Sequence, residues 1–114
     1  MVSSMNRLHL SEEAQSDLAE IKECVSKELE NPIAALSTVS KITNGMRILR
    51  SHAFAGAPLS SIANVESDYR FLVSGKYLIF YRVADNEVYV VRVLYGRRDY
   101  LRILFGDLPE EPVE

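Results

Sequence analysis

The side chains in this sequence that are able to do chemistry are mainly arginines and tyrosines in its C-terminal half. Arginine stabilises negative charge on a phosphate or carboxylate, and tyrosine is able to stack on bases, dock on a protein or transfer a proton. Two arginines follow a glycine in the segment Gly96-Arg97-Arg98-Asp99, and three others lie within runs of β-branched and aromatic residues. These strand arginines are Arg70, Arg82 and Arg92, and the tyrosines are Tyr69, Tyr77, Tyr81, Tyr89, Tyr95 and Tyr100.

Each of these residues also has a structural interpretation. Arg97 and Arg98 are close enough in sequence to pair with Asp99. Most of the tyrosines are expected to pack across antiparallel strands, where an aromatic pair contributes up to about 1 kcal/mol. Taken alone, a strand arginine is expected to flank solvent or to pair with one of four neighbouring acids, which are Glu66, Asp68, Asp85 and Glu87.

The histidines and the cysteine give no sign of a metal or cofactor site. Cys24 is the only cysteine, so one chain forms neither a disulfide framework nor a cysteine-based metal site. It falls within a predicted helix and is expected to be inert. His9 and His52 lie far apart in the sequence and are expected to be structural. We therefore expect no cofactor and no metal.

Length and charge limit the possible classes of function. The chain has 114 residues, enough for one domain, and a net charge of −3. Residues 66–106 carry seven basic and five acidic side chains, which is too weak a bias to indicate nucleic-acid binding. The sequence shows neither a signal-peptide apolar run nor a segment of the roughly 20 apolar residues that a membrane span needs. We expect a cytoplasmic protein with no membrane association.

Two amphipathic helices are predicted in the N-terminal half. Ser11 is a helix N-cap, and apolar residues then recur at steps of three and four up to about Glu30. Asn31-Pro32 is a second helix start, followed by another apolar stripe to about Arg50. So short a connection requires the helices to fold back as an antiparallel hairpin.

Strands are predicted before and after this hairpin. Residues 6–10 could form a short strand, and three β-rich runs at 69–73, 77–83 and 88–95 are separated by tight turns. The prediction is an α+β fold, with the helical hairpin packed on a small antiparallel sheet in the order β-α-α-β-β-β. A helix or strand at 100–105 is left open. We expect one domain over residues 1–106 and an acidic tail over residues 107–114.

The segment from Ser67 to Asp99, SDYRFLVSGKYLIFYRVADNEVYVVRVLYGRRD, resembles the RelE/ParE superfamily of toxins from bacterial type II toxin–antitoxin systems. The shared features are a "YR" strand, a tight turn, an aromatic strand of the form Y-x-I-F-Y-R-V, an acidic-Asn turn, and a last strand that runs into V-L-H-G-R-R-D. Tyr95 stands where the family pattern has histidine. The resemblance implies a growth-inhibiting toxin of the kind linked to plasmid stabilisation.

Two branches of this superfamily differ in chemistry. RelE-like members cut mRNA on the ribosome, whereas ParE-like members inhibit DNA gyrase. In the ribonuclease branch an arginine follows the first tyrosine of the middle strand, a second follows the glycine after the last strand, and a tyrosine or histidine lies near the C-terminus. Leu78 stands at the first of these positions, Arg98 matches the second, and Leu104 and Phe105 occupy the third region. The resemblance therefore favours the ParE-like branch.

Three functions follow as hypotheses. The first is a gyrase-directed toxin that acts by binding, with the candidate target contacts Arg70, Arg82, Arg97, Arg98 and Tyr100. The second is an endoribonuclease acting on ribosome and mRNA, for which Arg70, Arg98 and Tyr100 are the candidate catalytic residues. The third is a non-toxic interaction module. The resemblance also implies a cognate antitoxin as partner, with candidate docking residues Ile33, Leu36, Ile42 and Met46 on the second helix.

Overall fold

The computed structural model describes residues 6–63, 66–96 and 99–105, and this part of the chain forms helices packed on a mixed sheet. The predicted α+β class and the predicted order of the main elements are confirmed. The segment left open at 100–105 is a helix, and a two-residue strand lies within the predicted loop. In chain order the elements are β1 Arg7–Leu10, α1 Glu12–Leu29, α2 Pro32–Arg47, β2 Ala57–Pro58, β3 Arg70–Ser74, β4 Tyr77–Ala84, β5 Glu87–Tyr95 and α3 Tyr100–Phe105.

Both long helices begin at the capping residues that the sequence predicts. The Ser11 hydroxyl accepts a hydrogen bond from the Ala14 N–H at 2.9 Å, which satisfies one of the amide groups left free at the start of α1. Asn31 does the same for α2, accepting from the N–H groups of Ile33 and Ala34. The cap at Asn31 and the proline after it fix the point at which the second helix turns back along the first.

The sheet has the strand order β1-β5-β4-β3-β2. β3, β4 and β5 form the predicted antiparallel meander. β1 pairs in parallel with the first residues of β5, from Arg7 opposite Glu87 to Leu10 opposite Val90, so the whole sheet is mixed rather than antiparallel. The chain between β1 and β5 contains the helical hairpin and the strands β2 to β4. This long connection lets β1 run parallel to β5, since parallel neighbours cannot be joined by a tight turn.

The two meander turns are two-residue loops. Gly75 follows β3 with φ +60°, and Asp85 follows β4 with φ 55°. A left-handed first residue matches the twist of a two-residue hairpin, which is why glycine and aspartate stand at these positions.

Both faces of the sheet carry an apolar cluster. The first, which we call the helix-side cluster, joins α1 and α2 to the sheet through Ala14, Ile21, Ile42, Met46, Leu49, Ile79, Tyr81, Val88, Val90 and Val93. The second, which we call the outer cluster, contains Leu59, Phe80 and Leu94 with partly buried side chains from α3 packed against them. The small domain therefore buries both faces of the middle of its sheet.

Candidate functional site

The register of the strands assigns Arg70 to a face of the sheet. Arg70 lies opposite Tyr81, whereas the next residue, Phe71, lies opposite Phe80. Directly opposed residues project to the same face, and Tyr81 belongs to the helix-side cluster. Arg70 therefore projects toward the helix side, and Phe71 and Phe80 project toward the outer side.

Arg70 fixes the loop that precedes β2. Its Nη2 donates to the Gly56 carbonyl at 2.6 Å, and its guanidinium lies 5.0 Å from the centre of the Phe54 ring. The Gly56 N–H in turn donates to the Tyr81 hydroxyl at 2.9 Å. A Cβ at Gly56 would lie 2.3 Å from the Phe71 carbonyl oxygen, so glycine is required for this close approach. We assign Arg70 a structural role.

Tyr100 lies on the opposite face from Arg70. Its ring packs against Phe80 with 5.3 Å between the ring centroids, within the outer cluster. A ribonuclease site built from Arg70 and Tyr100 needs both side chains on one phosphate, yet the sheet separates them. The third member of that hypothetical site, Arg98, lies with Arg97 outside the described residues.

The residues that depart from the ribonuclease pattern meet in the outer cluster. Leu78 of β4 packs against this cluster, and so do Leu104 and Phe105 of α3. The ring of Phe105 also makes an edge contact with Tyr69 at 5.5 Å between centroids. Residues from two separate parts of the family pattern thus pack against the same apolar cluster. In the described chain, α3 covers this part of the outer face with hydrophobic side chains.

Arg82 lies on the outer face of the sheet. It forms a two-pronged ion pair with Asp68, the shortest contact being 2.7 Å from Nη2 to Oδ2, and its guanidinium lies 5.5 Å from the Tyr69 ring centre. The structural interpretation, pairing with Asp68, is thus confirmed. The hydrogen bond from Arg82 lowers the pKa of Asp68 and is the main reason that the pKa of Arg82 is raised. Both side chains remain about half exposed, so Arg82 is accessible to a partner.

Arg92 has a buried partner that the sequence analysis missed. Asp17 on α1 is 5% exposed and accepts three hydrogen bonds, two from the Arg92 guanidinium at 2.8 Å and one from the Val93 N–H at 2.9 Å. The hydrogen bond to Asp17 raises the pKa of Arg92. The signal in the sequence was an aspartate between Ala14 and Ile21, within the apolar stripe of α1, where a charge requires a partner.

His9 contacts its neighbours on β5. Its Nε2 lies 2.5 Å from a Glu87 carboxylate oxygen, and its ring stacks on Tyr89 with 4.9 Å between centroids. Within the described ranges no three metal-binding side chains cluster. No helix in those ranges is long and apolar enough to span a bilayer.

The candidate antitoxin-docking residues on α2 divide into two pairs. Ile33 and Leu36 are 77% and 53% exposed and remain available to a partner. Ile42 and Met46 are 1% and 2% exposed and belong to the helix-side cluster. The prediction that they form a docking surface is corrected, because these two side chains fill the core between α2 and the sheet.

Comparisons with known proteins agree with this fold. Residues 8–100 match the family model described as ParE toxin of type II toxin–antitoxin systems. The chromosomal ParDE system of P. aeruginosa contains a similar chain, at 25% identity and a TM-score of 0.68, covering 82% of this chain and 98% of that one. A chain of the toxin–antitoxin complex RelBE2 of Mycobacterium tuberculosis shares the fold at 17% identity and a TM-score of 0.51, covering 80% and 98%. No curated protein matches the sequence.

Proposed function

Because this chain belongs to the ParE toxin family of type II toxin–antitoxin systems, we propose that it inhibits DNA gyrase by binding and is neutralised by a cognate antitoxin. The observation that carries the proposal is the outer cluster. Leu78, Leu104 and Phe105 occupy positions at which an mRNA-cutting relative needs groups that stabilise charge or transfer protons. Hydrocarbon side chains do neither, but they suit a surface that binds protein.

The position of Arg70 supports binding over cleavage. Its guanidinium is bound to the Gly56 carbonyl and stacked on Phe54, so moving it to a phosphate would release the loop before β2. Tyr100 would then have to act from the other face of the sheet. The structure thus favours a toxin whose action needs no catalysis of its own.

We propose that the target contacts the outer face at the exposed Arg82 and along α3, with Arg97 and Arg98 as further contacts predicted from the sequence. Arg82 is paired but half exposed, and it lies beside Tyr69, which contacts α3 through Phe105. An arginine on the rim of an apolar surface is a common element of protein interfaces. Arg70 is withdrawn from this set because its guanidinium serves the fold.

We further propose that the antitoxin covers Ile33 and Leu36 at the start of α2. These two residues are three positions apart on one helix and therefore share a face. Their exposure in the free chain is typical of residues that a partner covers.

The test is expression in bacteria with two readouts, a DNA-damage reporter and the integrity of cellular mRNA. A gyrase inhibitor raises the damage response and leaves mRNA intact, whereas cleaved mRNA without DNA damage would overturn the proposal. Tyr100→Phe is the matched variant, since it keeps the ring against Phe80 and removes only the hydroxyl. A toxin that binds its target through the apolar surface of α3 keeps its toxicity in this variant, because the Tyr100 ring is retained, and one that uses the phenol for proton transfer loses it.

A further inference from the structure

A row of aromatic and basic side chains crosses the outer face of the sheet from β1 to β4. His9 of β1 and Arg82 of β4 both lie opposite Tyr89 of β5 in the strand register. Directly opposed residues project to the same face, so all three side chains share the outer face with Arg82. Tyr89 therefore stands between an imidazole on one side and a guanidinium on the other.

The two neighbours of Tyr89 differ in how they contact it. The ring of His9 stacks on Tyr89, with 4.9 Å between the ring centroids and 16° between the ring planes. The guanidinium of Arg82 is instead held by Asp68 and lies over the Tyr69 ring. Tyr89 thus leans toward β1 while Arg82 leans the other way. Two side chains that are opposed in register diverge, and space opens between them.

A cavity of about 500 Å³ lies at this place on the sheet. We call it the Tyr89 slot, and its side-chain walls are formed by His9, Asp68, Arg82, Tyr89 and Val91. Val91 also packs against the outer cluster, so the slot borders the surface that we propose for the target. Its volume lies within the roughly 300–1,000 Å³ typical of sites that take a small molecule or side chain.

The charge of the slot argues against a charged ligand. Arg82 is paired with Asp68, and the Nε2 atom of His9 is bonded to the Glu87 carboxylate. Among the described residues that line the slot, each basic side chain therefore already has an acidic partner. Nucleic acids gain most of their affinity from phosphates that meet unpaired basic groups, which these pairs do not supply. A neutral ligand suits the slot better.

The shape and electronic character of the walls favour a flat aromatic ring. A guanidinium attracts the electron-rich face of an aromatic ring, and a tyrosine ring packs well against a second ring. The two-pronged bond to Asp68 holds Arg82 in place before any ligand arrives, which lowers the entropy lost on binding. Tyr89 is 42% exposed and has room beside it for a partner ring.

We propose that the Tyr89 slot receives an aromatic side chain, a tryptophan, tyrosine or phenylalanine, from the protein that the toxin targets. The ring lies between Tyr89 and the guanidinium of Arg82. The choice of the target as the partner rests on the proposed function, whereas the preference for an aromatic ring rests on the walls of the slot. Aromatic anchors of this kind carry a large share of the binding energy in protein interfaces. Tyr89 is thereby added to the residues that contact the target.

Binding of small probes to the full-length protein tests the slot directly. The probes are N-acetyl-tryptophanamide, N-acetyl-leucinamide and adenosine monophosphate, each titrated and followed by NMR. The tryptophan probe is expected to bind about threefold more tightly than the leucine probe, because only its ring contacts the guanidinium through a π face. Equal affinities of these two probes, or no binding of the tryptophan probe, would overturn the proposal. Tightest binding of the nucleotide would also overturn it and would indicate a nucleotide site.

Variants of two tyrosines on β5 supply the control. Tyr89→Leu keeps an apolar side chain but removes the ring, and it is expected to abolish the preference for the tryptophan probe. Tyr95→Leu changes a tyrosine of similar exposure, 37%, that does not line the slot, and it is expected to retain the preference. Circular dichroism confirms that both variants are folded. Loss of the preference in both would show general adsorption to exposed tyrosines and would contradict the proposed site.

Inhibition of gyrase by the same variants separates this inference from the proposed function. Tyr89→Leu is expected to raise the concentration needed for half-inhibition about tenfold, and Tyr95→Leu to leave it unchanged. Full inhibition by Tyr89→Leu would reject the slot as a target contact and leave the gyrase proposal standing. No inhibition by the unaltered protein, with the preference for the tryptophan probe intact, would reject gyrase as the target and retain a slot that selects aromatic rings.

Discussion

The two faces of the sheet use the same strands but hold their charged and aromatic groups differently. On the helix side, Tyr81 and Arg70 form hydrogen bonds with the main chain of Gly56 in the loop before β2, and Asp17 joins α1 to β5. On the outer side, the ion pair between Arg82 and Asp68 is half exposed, and a helix of only six residues covers the apolar cluster. We assign fold stability mainly to the helix side and propose that the target binds the outer side.

The largest effect is expected from breaking the ion pair that joins α1 to β5. Asp17→Ala leaves the Arg92 guanidinium and the Val93 N–H without their acceptor, which should lower the free energy of unfolding by about 3 kcal/mol. Asp68→Ala breaks the corresponding pair on the outer face and should cost about 0.5 kcal/mol, because that pair is solvent-exposed. Urea unfolding monitored by circular dichroism measures both. Equal losses would erase the distinction between the faces.

The next effect is expected at the loop held by Arg70. Gly56→Ala places a methyl group against the Phe71 carbonyl oxygen, at a distance that real Cβ atoms do not reach, and should cost about 2 kcal/mol. Gly75→Ala is the matched control. The space around Gly75 is open, so only its positive φ opposes a side chain, and the free energy of unfolding should fall by about 1 kcal/mol. Thermal unfolding of the two variants ranks them. A more stable Gly56→Ala protein would show that the loop is not closely packed.

Substitutions in the outer cluster should reduce function more than stability. Leu104→Ala removes a partly buried side chain and is expected to cost about 1 kcal/mol of stability. Its inhibition of gyrase supercoiling should fall by more than this loss of folded protein explains, because the surface that binds the target has changed. Leu18→Ala, on the helix-side cluster, is the control and should affect inhibition only through stability. Equal inhibition by the two variants at equal folded concentration would contradict the assignment.

The smallest effect concerns pH. The pKa of Asp68 is below its ordinary value of 3.8 in the folded chain, so its ion pair stabilises the fold above that pH and is lost as pH falls through the lowered pKa. Since the pair is exposed, the contribution is under about 1 kcal/mol. Asp68→Asn should therefore flatten the stability profile slightly below pH 3.8 and leave its slope near pH 7 unchanged. Measuring the free energy of unfolding at several pH values tests this. An equal change of slope below pH 3.8 and near pH 7 would contradict it.

Most of the fold could be predicted from local patterns in the sequence. Ser11 and Asn31 cap their helices as predicted, and the meander follows from the alternation of its strands and its two tight turns. These features depend on residues close together in the chain. The parallel pairing of β1 with β5 was not predicted, because it joins residues about 80 positions apart and leaves no turn signal.

The candidate site was less predictable, because it too depends on contacts between residues far apart in the chain. That Arg70 and Tyr100 face opposite sides follows only from the register between β3 and β4 and from the packing of α3 on Phe80. The burial of Ile42 and Met46 was implicit in their spacing along α2, which places them on the core face of that helix. The prediction grouped all four residues as one docking surface. In the structure Ile42 and Met46 belong to the core, and only Ile33 and Leu36 are exposed.

The central claim, that the outer face binds a target and does not cleave RNA, is tested most directly with the purified full-length protein. Two assays run in parallel would measure supercoiling by gyrase and the integrity of mRNA on translating ribosomes. The account predicts inhibition of gyrase that saturates at a fixed ratio of toxin to enzyme, with the mRNA intact and with Tyr100→Phe equally inhibitory. Catalytic cleavage of ribosome-bound mRNA, with gyrase unaffected and with activity lost in Tyr100→Phe, would contradict it.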